Sequence, residues 1–227
     1  MKRQSLKFYQ EKYNDDIGNA FEKSFFNKRK LLCAIRLYNE GKLEEALKYL
    51  LALQKKCKFK GDLYTVGLFM ALILTDMGST QEAINVYNAL ISAGLVFPNI
   101  CQNLGGLYSK IGNSDDAIRA FLLAIQSDDR SPIAHSNLAK LYFDSGDLQN
   151  AKKHALKALS INYRMPQPAV TLTLIYTLED DQATVDKYYR IATESGYSPE
   201  ALNGSIGFYR MSMIKSGKVP EPIEIEL

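Results

Sequence analysis

The stretch that decides the fold is PIAHSNLAKLYFDSGDLQNAKKHALKALSINYRM, residues 132–165. It contains two amphipathic helical patterns separated by a short turn, Ser145-Gly146-Asp147. The same pattern recurs 34 residues and again 68 residues earlier. The recurring positions are Leu138, Ala139, Tyr142, Gly146, Ala151, Ala155 and Ala158, then Leu104, Gly105, Tyr108, Gly112, Ala117, Phe121 and Ala124, then Met70, Ala71, Leu74, Gly78, Ala83, Tyr87 and Leu90. A fixed period of this length is typical of a protein built from stacked repeats.

The period divides most of the chain into helix pairs. Proline opens the last three pairs, where its missing N–H costs no hydrogen bond. In the fifth pair Asp180 replaces the turn glycine, and in the second Ser79 and Glu82 have the spacing of a capping box. We predict pairs at 27–60, 64–97, 98–131, 132–165 and 166–199, an N-terminal capping segment at 1–26, a C-terminal capping helix at 200–217 that is capped by Ser198, and an extended tail at 218–227.

Composition narrows the function classes. The 227-residue chain has no apolar run of the ~20 residues that span a bilayer, and its start lacks the apolar core of a secretory signal, so we expect a cytoplasmic protein. Three cysteines without metal-ligand spacing argue against disulfides and zinc, and we expect no cofactor and no metal. The net charge is +3, but residues 1–62 hold 15 Lys and Arg against 8 Asp and Glu. This basic end could attract an acidic partner or nucleic acid.

The recurring residues resemble the tetratricopeptide repeat. The clearest copies lie in the third and fourth pairs, and the resemblance covers about residues 27–199. The large aromatic residue early in the first helix of that family is missing here, where Cys101 and His135 stand. The resemblance implies an all-α solenoid, a right-handed superhelix of antiparallel helix pairs whose first helices line a concave, peptide-binding groove.

The outward face of the first helices is the candidate binding surface. Amide side chains both donate and accept hydrogen bonds, which suits the backbone of an extended peptide. The alternative is that these amides are only solvated helix surface. The candidate residues are Asn99, Gln102, Asn103, Lys110, Ser136, Asn137, Lys140, Asp144, Gln167, Val170, Thr171 and Leu174. Asn103 and Asn137 also match an asparagine common in the family, whereas the cations with which a subset of these repeats holds chaperone tails are absent here.

Catalytic chemistry is not expected. The sequence has two histidines in different helices, His135 predicted to be packed inside and His154 predicted to lie on the surface, with no nucleophile or ligand set around them. The leading hypothesis is therefore a non-enzymatic scaffold or adaptor that binds a protein or peptide of unknown identity. The alternatives are a nucleic-acid-associated regulator that uses the basic N-terminal end, and a homo-oligomeric module that pairs through its C-terminal part. We expect no membrane partner.

Overall fold

The computed structural model describes residues 28–57 and 60–215. The capping segment predicted at 1–26 and the tail predicted at 218–227 lie outside these described residues. Throughout the described ranges the regular structure is helical, as the repeat pattern predicts. The helices are α1 Lys28–Asn39, α2 Leu43–Gln54, α3 Lys60–Asp76, α4 Thr80–Ser92, α5 Pro98–Lys110, α6 Ser114–Ser127, α7 Pro132–Asp144, α8 Leu148–Ile161, α9 Pro166–Leu178, α10 Gln182–Glu194 and α11 Pro199–Lys215.

The described helices form two compact units. The N-terminal unit contains α1–α6 and the C-terminal unit contains α7–α11. In each unit the two helices of a pair pack on each other, and within the C-terminal unit the first helix α9 also packs between α7 and α11. Within each unit, a repeat therefore contacts the next repeat in sequence, which is the arrangement of a solenoid.

The turn inside each pair uses one hydrogen-bond pattern. In the fourth pair the N–H of Gly146 donates to the carbonyl of Phe143 (3.0 Å) and the N–H of Asp147 donates to that of Tyr142 (2.9 Å). This motif needs a left-handed residue, and Gly146 supplies it with a φ of 83°. Asp180 adopts the same region in the fifth pair with a φ of 55°, and it is the one non-glycine residue with positive φ in the described chain.

Helix starts follow local side-chain chemistry. The side chains of Ser131, Asp147 and Asp181 each accept a hydrogen bond from a backbone N–H in the first turn that they precede. The Ser198 hydroxyl accepts from the N–H of Ala201 (3.1 Å), which confirms the predicted cap of α11. The capping box predicted at Ser79 is wrong, because its side chain makes no capping hydrogen bond. Helix α3 begins at Lys60, earlier than the predicted start of its pair at residue 64.

Small residues set how closely the helices of a pair approach. One alanine near the start of each of α2, α4, α6 and α8 is fully buried, as the pattern predicts. These are Ala46, Ala83, Ala117 and Ala151. In the third pair a glycine takes the part of a small residue on the first helix, because the ring of Phe121 lies 2.9 Å from where a Cβ on Gly105 would stand. A small residue on one helix thus leaves room for a large side chain of the partner helix.

Candidate functional site

The two asparagines of α5 are used inside the fold. The amide nitrogen of Asn99 donates to the hydroxyl of Tyr64 (2.8 Å), and that of Asn103 donates to the hydroxyl of Tyr87 (3.1 Å). Both tyrosines are buried, so each hydroxyl needs such a partner. In α5 these predicted ligand-binding amides therefore hold the N-terminal unit together.

The other two candidates on α5 differ in exposure. Gln102 is half-buried, and Lys110 is exposed in the last turn. A cation at this place interacts favourably with the carboxyl end of the helix.

Helix α7 presents a different surface. Ile133, Asn137, Lys140 and Asp144 are spaced i, i+4, i+7 and i+11, so they form one stripe, which we call the α7 stripe. Ile133 is 53% exposed, Asn137 is half-buried, and Lys140 and Asp144 are exposed and ion-paired. The side chain of Asn137 makes no hydrogen bond to any residue that the structure describes.

Four candidates do not lie on an outward surface, so their predicted exposure is wrong. Val170 and Leu174 are buried in a cluster with Phe143 and Leu202, because α9 is flanked by α7 and α11. Thr171 is buried as well, and its hydroxyl donates to the carbonyl of Gln167 one turn earlier (3.1 Å). The buried candidates are Ser136, Val170, Thr171 and Leu174.

Gln167 remains accessible. It is half-buried in the first turn of α9. This helix is the first of the fifth pair, and it packs against α7 in the same unit. Ser136 is buried on α7 at the same position of the pair as Val170, one repeat period earlier. A single helix pattern read from the sequence does not show this second contact side.

The two histidines form a buried pair that the sequence pattern did not reveal. Their Nδ1 atoms are 2.9 Å apart, a hydrogen bond in which the protonated nitrogen is the donor and the other is the acceptor. His135 is inside as predicted, whereas the predicted surface position of His154 is wrong, because its ring is buried beside that of Tyr142. Burial, followed by the charges of His135 and Lys153, lowers the pKa of His154 to about 4.

A short polar network extends from this pair. The Nε2 atom of His135 lies 3.3 Å from the carbonyl oxygen of Asp129, and the carboxylate of Asp129 accepts from Lys157 (2.6 Å). That hydrogen bond is the main reason why the pKa of Asp129 is lowered. The network ties the segment before α7 to α8.

Two further observations bear on chemistry. Within residues 28–57 and 60–215, no group of three or more His, Cys, Asp or Glu side chains could hold a metal ion. The thiol of Cys101 is fully buried, and burial raises its pKa to about 11, so it is a poor nucleophile.

Across the residues that the structure describes, no helix is both long enough and apolar enough to pass through a membrane.

A sequence model of the tetratricopeptide repeat matches residues 98–130 and 133–164. These ranges coincide with the pairs α5/α6 and α7/α8. The chain carries tetratricopeptide repeats. No curated protein matches the sequence.

Solved structures show the same repeat fold at low sequence identity. A tetratricopeptide repeat protein from Parabacteroides merdae superposes with a TM-score of 0.68 at 16% identity, over 90% of this chain and 82% of that one. PilF of Pseudomonas aeruginosa gives 0.65 at 16% identity, over 92% and 96%. YrrB, described as a tetratricopeptide repeat protein with an unusual peptide-binding site, gives 0.61 at 14% identity, over 86% and 94%. At these identities the likeness establishes the fold alone.

Proposed function

We propose that this tetratricopeptide repeat chain is a non-enzymatic scaffold that binds an extended peptide or protein segment along the α7 stripe, with Gln167 of α9 beside it. The fold implies a protein partner, and YrrB is one protein of this fold with a peptide-binding site. The proposal narrows the binding residues from the full candidate set to the C-terminal unit.

The observation that carries the proposal is the contrast between Asn137 and Asn103. They stand one repeat period apart, at the same position of a first helix. The amide nitrogen of Asn103 donates a hydrogen bond to the hydroxyl of Tyr87. Asn137 makes no such bond within the described chain, so its amide can pair with the backbone N–H and C=O of a bound peptide.

The neighbouring side chains suit the same ligand. Ile133 offers an exposed apolar contact at one end of the stripe, and Lys140 and Asp144 offer one charge of each sign at the other. A surface ion pair contributes little to stability, roughly 0–1 kcal/mol, so it can open at small cost to accept charged groups of a ligand. We therefore expect the partner segment to be extended and to carry at least one apolar side chain.

The test begins with a random 12-residue peptide library displayed on phage and selected on the full chain. Selected peptides are then synthesised, and their affinity is measured by fluorescence anisotropy. Asn137→Ala should weaken binding about tenfold, the loss expected for a buried hydrogen-bonded group at an interface. The melting temperature should stay unchanged, because no described residue depends on this amide.

Asn103→Ala is the matched control. It removes the hydrogen bond that the Asn103 amide donates to the hydroxyl of buried Tyr87, so we expect a loss of about 0.5–1.5 kcal/mol in the free energy of unfolding and unaltered peptide affinity. Failure to select any peptide, or equal binding by Asn137→Ala and wild type, would refute the proposed site.

A further inference from the structure

Helix α11 ends the described chain with one side unpartnered. Its buried residues, Leu202 and Met213, face α9. At about 100° per residue, six exposed residues fall in one sector on the opposite side of the helix. They are Glu200, Gly204, Gly207, Phe208, Met211 and Lys215, which we call the α11 outer face. Phe208 is 70% exposed and Met211 is 54% exposed, so the two large apolar side chains of this face both meet solvent.

The repeat itself shows what such a face accepts. Gly207 stands three repeat periods after Gly105. At Gly105 the ring of Phe121 packs so closely that an added Cβ would lie 2.9 Å from it. On α11 nothing lies within 4 Å of a Cβ placed on Gly204 or Gly207. The position that takes an aromatic ring in the third pair is thus open on α11.

We propose that the α11 outer face is a homodimer interface, on which a second copy of this chain packs its own α11 in antiparallel orientation. The two-fold axis passes between Gly207 and Phe208. In this register Phe208 of each copy covers Gly207 of the other, and Met211 covers Gly204. Glu200 of each copy lies opposite Lys215 of the other, so the two ends of the interface pair opposite charges.

Self-complementarity is the reason for choosing a second copy as the occupant. A two-fold interface brings residue i of one copy to residue j of the other and j to i. One antiparallel register places both large side chains against glycines and both acids against bases. The parallel arrangement would instead set Phe208 on Phe208 and Glu200 on Glu200, which is unfavourable for shape and for charge.

The size of the face sets the expected affinity. One helix of 17 residues presents less surface than the ~800 Å² per partner of a standard stable interface. We therefore expect a reversible dimer with a dissociation constant on the order of 10–100 µM.

Sedimentation velocity of the full chain from about 1 to 500 µM measures this equilibrium. We expect wild type to dimerise over this range, and Phe208→Asp to remain monomeric. Glu200→Lys and Lys215→Glu should each weaken dimerisation about fivefold, because each sets like charges opposite each other. The double variant carrying both reversals should return to within about twofold of wild type, which a merely unfolded or damaged helix would not do.

Tyr163→Asp is the matched control. It removes an exposed aromatic side chain from the same unit but outside the α11 outer face, and should leave the dimer intact. A wild-type chain that stays monomeric at every concentration overturns the proposal and leaves residues 218–227 or another partner as the occupant. A dimer that survives Phe208→Asp also overturns it. A double variant that stays as weak as the single reversals overturns the antiparallel register. None of these outcomes involves the α7 stripe, so failure here leaves the peptide-binding proposal standing.

Discussion

Gly105 and Gly106 are neighbours on α5 with opposite surroundings. A Cβ on Gly105 would lie 2.9 Å from the ring of buried Phe121, whereas a Cβ on Gly106 would meet nothing within 4 Å. We therefore expect Gly105→Ala to lower the free energy of unfolding by about 1–3 kcal/mol through overpacking. Gly106→Ala should raise it by about 0.5–1 kcal/mol, since alanine loses less backbone entropy in a helix.

Urea denaturation followed by circular dichroism measures both changes. Gly106→Ala is the control for the general effect of alanine on α5. Equal stability of the two variants would mean that Phe121 does not limit the approach of α5 and α6.

His154 should make the C-terminal unit sensitive to acid. Its pKa falls from 6.5 to about 4 on folding. Between these two pH values the unfolded chain binds a proton at this residue and the folded chain does not. The stability that this residue contributes is complete above pH 6.5 and is lost as the pH falls toward 4. We expect a loss of about 2–3 kcal/mol over that window in wild type, and a smaller loss in His154→Gln.

The measurement is urea denaturation at pH 7, 6, 5 and 4. Carboxylates whose pKa is lowered in the fold, such as Asp129 and Asp147, titrate at the acid end of this window or below it and do so in both proteins. The difference between the two proteins therefore reports on the buried histidine pair, in which His154 contacts His135. Parallel curves of the free energy of unfolding against pH would contradict the lowered pKa of His154.

Single residues are where prediction from the sequence was weakest. The position of Asn103 on a first helix was evident from the period, but its bond to Tyr87 depends on where a tyrosine of another helix pair points. The burial of His154 depends in the same way on His135, 19 residues earlier. Helical periodicity places a residue on one side of its own helix and carries no information about the side chain it meets.

At the level of a helix pair, the left-handed position of the turn is a glycine in every pair but the fifth. Gly146 occupies the left-handed position in the fourth pair and Asp180 in the fifth. A residue with a Cβ is strained there by roughly 1 kcal/mol. Asp180→Gly should therefore raise the free energy of unfolding by about 0.5–1 kcal/mol, and Gly146→Asp should lower it by a similar amount.

Thermal melts of the two variants and of wild type test this exchange. Both substitutions change the charge by one unit in opposite directions, and repeating the melts at about 0.5 M salt removes most of that contribution. If both variants shift in the same direction, backbone strain is not the cause.

Elements were also the scale at which the sequence was most informative. The period of 34, the prolines at 98, 132 and 166 and the glycine turns predicted helices that the structure confirms. What the period could not supply was the second packing side of a first helix. Val170 and Leu174 satisfy the outward phase of α9, yet they are buried because α7 and α11 lie on either side of it. The sequence did contain one sign of this burial, because Val170 and Leu174 are apolar at positions predicted to face outward.

Across the molecule, core packing is local. The cores of the N-terminal unit join residues of α1 to α6, and those of the C-terminal unit join residues of α7 to α11. In repeat proteins the total stability is approximately a sum over repeats and the contacts between neighbours. A change in one unit should therefore loosen that unit first.

Leu138 provides the test, because it is fully buried in α7. Leu138→Ala should cost about 2–5 kcal/mol through lost burial and a cavity. Hydrogen exchange measured by mass spectrometry should show the largest increase in peptides from α7 and α8, and the smallest in those from α1 and α2. Leu68→Ala, at a fully buried site of α3, is the matched control. Its largest increase should fall in peptides from α3 and α4, and its smallest in those from α9 and α10. A uniform rise in exchange along the whole chain would mean that the repeats unfold as one cooperative body.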